Sequence, residues 1–98
     1  MDIQVHSVHF DADRKLIDFV NQRVEKLELY FDNIILGEVF LKLGNPSDKE
    51  NKVAEIKLAI PGKELFAKKQ CKTFEEAADR ACQALKRQVQ KHKEKISA

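Results

Sequence analysis

Hydrophobic and polar positions alternate from Ile3 to Phe10, with Ile3 and Val5 set against Gln4 and His6, which predicts a strand. The period then changes. Leu16, Val20, Val24, Leu27 and Phe31 recur at intervals of three and four and predict one buried helical stripe to about residue 31. Asp11 and Asp13 stand ahead of it as N-cap candidates for a helix starting near Arg14. Alternation returns at Gly37, after which Val39, Leu41 and Leu43 share the face of a second strand. Gly44-Asn45-Pro46-Ser47-Asp48 breaks that strand.

A third strand is predicted where Ala54, Ile56, Leu58 and Ile60 alternate with Glu55, Lys57 and Ala59. Pro61-Gly62-Lys63 marks a tight turn into a fourth, from about Glu64 to Lys72. Its inward set is Leu65, Ala67, Lys69 and Cys71, or the alternate one. Thr73-Phe74-Glu75-Glu76 has the form of a capping box, in which the Thr hydroxyl caps the third amide and Glu76 reaches back. Phe74, Ala78, Ala81, Cys82, Leu85 and Val89 line one face of the helix that follows, with Ile96 on that face if the helix persists. The order is β-α-β-β-β-α, without repeats or a linker. It predicts an α+β fold with two helices side by side on one face of a four-stranded sheet.

Charge adds polarity to this pattern. From residue 80 to 98, Arg80, Lys86, Arg87, Lys91, Lys93 and Lys95 stand against Glu94 alone, a net of +5. Residues 1–79 hold twelve cations against fifteen anions, a net of −3, so the whole-chain +2 conceals a basic end on an acidic domain. A dense polyanion is the partner such an end suits, nucleic acid above all, because binding phosphates releases counterions. Attraction of cations to the helix C-terminus explains two or three residues of the last turn, but not Arg80 in the second.

At 100° per residue, Arg80, Arg87, Lys91 and Lys95 share one edge of the second helix, and Lys86 and Lys93 share the other. On the first helix Lys15, Phe19, Gln22, Arg23, Lys26 and Tyr30 line one flank, opposite Asp18, Asn21, Glu25 and Glu28. Side by side, the cationic flank of the first helix is expected to meet a cationic edge of the second in a single basic groove. Phe19 and Tyr30 among these cations suit base stacking, and equally suit packing between helices.

Ninety-eight residues suffice for one core and one domain. No segment approaches the ~20 apolar residues of a membrane span, and the N-terminus lacks a signal-peptide layout. A cytoplasmic protein without membrane attachment is the expectation. Cys71 and Cys82 read as buried hydrophobes in that compartment. His6 and His9 fall on opposite faces of a strand and cannot share a metal. No Gly-rich phosphate loop, HExxH or readable Ser-His-Asp spacing occurs. The reading is therefore a binding protein, not an enzyme, with no cofactor or metal.

Three ordered stretches carry a resemblance. Lys26-Leu27-Glu28-Leu29-Tyr30-Phe31-Asp32-Asn33-Ile34 resembles the end of the first helix in the ribosome hibernation-promoting factors, the family that includes protein Y. Pro61-Gly62-Lys63-Glu64-Leu65 is similar to that family's turn between its third and fourth strands. Arg87-Gln88-Val89-Gln90-Lys91-His92-Lys93-Glu94-Lys95 resembles its terminal signature, KHK core included.

The resemblance implies a fold like that of double-stranded RNA-binding domains. It also implies binding to small-subunit rRNA in the channel of mRNA and of A- and P-site tRNA. Translation on idle ribosomes is then blocked by occlusion during stress or stationary phase. Arg23, Lys26, Arg87, Lys91, Lys93 and Lys95 match basic family positions, and Lys15, Lys86 and Arg80 are neighbours that supply charge. Ile17 and Ala84 depart, standing where relatives often carry a basic residue.

The length resembles the short type, residues 1–98 forming one ribosome-binding domain, monomeric in solution, without the dimerisation domain of longer members and without a role on DNA. Two other readings share the charge argument: a general double-stranded RNA-binding module, and a basic domain that docks an acidic protein.

Overall fold

A computed structural model describes residues 1–97; the side chains of Ile96 and Ser97 lie outside the described part, and with them the expected burial of Ile96. Strand β1 (Asp2–Val8) is followed by helix α1 (Arg14–Glu25), whose last turn tightens into 3₁₀ geometry over Lys26–Leu29. Strands β2 (Leu36–Leu43), β3 (Lys52–Ile60) and β4 (Lys63–Cys71) come next, and helix α2 (Phe74–Ser97) ends the chain. The expected β-α-β-β-β-α order is present.

The sheet order is β1-β2-β3-β4, with β1 parallel to β2 and the other pairs antiparallel. Both helices cover the same face. Helix α1 packs on β1, and α2 lies over β3 and β4 against α1. Their apolar stripes meet the inward residues of the strands in one core, centred on Val20, Val24, Val39, Leu41, Ile56, Leu58, Leu85 and Val89. In β4 the inward set is Leu65, Ala67 and Cys71, with Lys69 half-buried among them.

Local chemistry sets the boundaries. Strand β1 stops at Val8, two residues earlier than alternation suggests, because His9 takes a left-handed φ of 63°. The chain then turns and lays Phe10 flat on Phe74, ring centres 4.9 Å apart. Asp13 caps α1 by accepting from the Leu16 amide at 2.8 Å. Thr73 caps α2 by accepting from the Glu76 amide at 3.1 Å. The Glu76 carboxylate, expected to reach back, goes forward to Arg80 at 2.7 Å. Leu43 shares its face with Val39 and Leu41 but is exposed at the end of β2.

Candidate nucleic-acid interface

Because α2 lies between α1 and the outer strand β4, its two edges have different neighbours. On the α1 side, Asp79 Oδ1 is 3.7 Å from Arg23 Nη1. The Lys86 ammonium stands 4.4 Å from the centre of the Tyr30 ring. The Arg23 guanidinium lies over Phe19 at 4.8 Å, and about two turns beyond Lys86 on the same edge comes Lys93. Glu28, Tyr30, Phe31 and Lys93 line a shallow recess at the end of this groove. Phe31 meets His92 edge to face at 5.7 Å, closing the floor.

The opposite edge of α2 faces β4. Gln88 Nε2 donates to the Phe66 carbonyl at 2.8 Å, tying the helix to the free edge of that strand. Arg87 and Lys91 line one hollow formed by α2 residues alone. Lys91 and Lys95 border another with Lys63 of the β3–β4 turn. Arg80 stands on the same edge, paired with Glu76 within the helix, and its charge reaches Cys71 on β4.

The single groove expected from the wheel is thus two basic strips. Arg23, Lys86 and Lys93 flank the cleft between helices, while Lys26 lies on the exposed side of the first helix with Gln22, Glu25 and Leu29. Arg80, Arg87, Lys91 and Lys95 share another edge of α2, and of these Lys91 and Lys95 border β4. A wheel shows which side chains share an edge, but which edge turns toward α1 depends on where the sheet holds the two helices. Lys63, in the tight turn, comes alongside Lys91 and Lys95, a proximity that no spacing along the chain signals.

The aromatic residues of the groove serve as supports. Phe19 and Tyr30 are half-buried, pack against the core and carry Arg23 and Lys86 on their faces. Among the described residues no set of three or more His, Cys, Asp or Glu side chains is placed to hold a metal ion. None of the helices there is long and apolar enough to cross a membrane.

A model of the Sigma 54 modulation protein / S30EA ribosomal protein family matches residues 3–97. The chain belongs to that family. It is 30% identical over 95 residues to the ribosome hibernation promoting factor of Pseudomonas putida, covering 97% of this chain and 89% of that protein. Identity to the ribosome hibernation promotion factor of Bacillus subtilis is also 30%, over 97 residues. There the match takes in 99% of this chain but only 51% of the relative, so the chain spans about half of that longer protein.

Among solved structures, the N-terminal domain of Thermus thermophilus protein Y superposes with a TM-score of 0.80 at 25% identity, covering 94% of this chain and 99% of that one. The chain is a ribosome-associated hibernation protein of this family, and it works by binding, without enzymatic chemistry.

Proposed function

We propose that this protein docks on small-subunit rRNA through the cationic edges of α2 and the facing flank of α1. There it occupies the channel of mRNA and of A- and P-site tRNA, blocking translation on idle ribosomes during stress or stationary phase. It acts as a cytoplasmic monomer built as one ribosome-binding domain. The observation that carries this reading is the concentration of charge on α2 within a family of hibernation factors. From residue 80 onward six cations project from one helix against Glu94 alone, while residues 1–79 are net acidic. Guanidinium and ammonium groups contact phosphates without reading sequence, so specificity comes from the shape of the folded rRNA.

A binding titration with purified small subunits at increasing salt tests the proposal. With about six phosphate contacts, log affinity falls against log salt with a slope of roughly −4 to −5. A flat response overturns it. Competition by free duplex RNA separates this reading from a general double-stranded RNA-binding module, which such duplexes displace readily.

A further inference from the structure

We propose that Lys63, with Lys91 and Lys95, forms a second phosphate-binding strip on the β4 side of α2, so that the C-terminal half of this helix straddles two separate segments of RNA backbone. The inference rests on the ribosome-binding reading above and adds a residue and a geometry to it.

Lys63 owes its position to the hairpin. Pro61 and Gly62 are the two turn residues between β3 and β4, and Gly62 has a φ of 75°, which an L side chain rarely adopts. Ile60 pairs directly with Lys63 across the turn, so Lys63 leaves the sheet at its outer corner. The bond from Gln88 to the Phe66 carbonyl holds α2 against that corner. Lys63, Lys91 and Lys95 then border one recess, with Glu64 as the acid on its wall.

Three ammonium groups around one hollow repel one another, and a phosphate placed among them removes that repulsion. The groove strip lies on the other side of a helix whose body is about 10–12 Å across. A backbone running along one flank reaches the other only by climbing over α2. Two flanks therefore suit two strands, as in the contacts that proteins make on either side of an RNA groove.

Lys63→Glu and Lys63→Ala test the strip in titrations with purified small subunits, with circular dichroism as the check on folding. Lys63 is exposed, so both variants keep the native spectrum. The expected results are roughly tenfold weaker binding for Lys63→Glu and a salt slope shallower by about one for Lys63→Ala. Affinity and slope equal to the parent's overturn the second strip. A parent chain that itself binds without salt dependence overturns the earlier reading instead, so the two failures are distinct.

Straddling is read by tethering an iron chelate to Lys63→Cys on one side and Lys86→Cys on the other, with the parent chain as control for the two buried thiols. Cleavage in two different rRNA segments supports it. Cleavage of one shared segment from both positions overturns it.

Discussion

Arg23 and Asp79 face each other across the helix–helix groove, Nη1 3.7 Å from Oδ1, so the guanidinium of α1 that enters the basic cleft is held by an acid of α2. Both side chains are about 40% exposed, and solvent screens the pair to less than about 1 kcal/mol. Its effect is on the field of the groove, where Asp79 cancels one cation. Asp79→Asn should leave the unfolding midpoint nearly unchanged and raise affinity for small subunits roughly two- to fivefold at ~0.1 M salt. Urea denaturation and a binding titration check the two halves. Weaker binding by the variant shows that Asp79 orients Arg23 and does not merely neutralise it.

Replacing Arg87, Lys91 and Lys93 together by Glu removes cations from both edges of α2. All three are exposed and lie off the buried stripe, so the fold should survive with only a small stability change. Association with small subunits should be lost. Sedimentation through a sucrose gradient gives the answer, and a folded mutant that still travels with subunits rules these residues out as the contact.

Secondary structure was legible because the period of the apolar residues changes cleanly from two to 3.6 and back. Asp13 and Thr73 mark helix starts by a chemistry that is local in sequence. The inward face of β4 was harder to read, since Lys69 shares it with Leu65, Ala67 and Cys71; a half-buried lysine there resolves the ambiguity. The path of Phe10 depends on a left-handed His9 that no composition rule signals. The site was legible as a set of residues and not as a surface. Lys86 and Arg87 are neighbours in sequence yet diverge by about 100° around α2: Lys86 turns to Tyr30 on the α1 side, while Arg87 borders a hollow made of α2 residues alone.

Leu85 is fully buried at the centre of the α2 stripe, where the helix crosses β3 and β4. Truncation to Ala leaves a cavity that the close-packed layers cannot wholly collapse into. Stability should fall by about 2–5 kcal/mol. Equilibrium denaturation measures this directly, and a loss well under 1 kcal/mol shows a core looser than the packing implies. Binding of the fraction that remains folded should be unaffected, since no cation touches the phosphate-facing surface through Leu85.

Cys82 supplies a pH dependence with a defined sign. Burial, reinforced by the nearby Asp79 carboxylate and opposed by Arg23, pushes its thiol from 9.0 up to about 12. Below pH 9 the thiol is protonated in both folded and unfolded chains and contributes no slope. Between about 9 and about 12 the unfolded chain releases the proton while the folded chain retains it, so the unfolded state holds fewer protons and stability falls as pH rises. The informative quantity is the difference between the parent and Cys82→Ala, whose stability should fall less steeply. The same burial keeps the thiolate scarce in the native state. A thiol-specific reagent at pH 8 should therefore modify Cys82 slowly in buffer and rapidly in urea; fast modification of the folded protein shows that the seam between α1 and α2 opens.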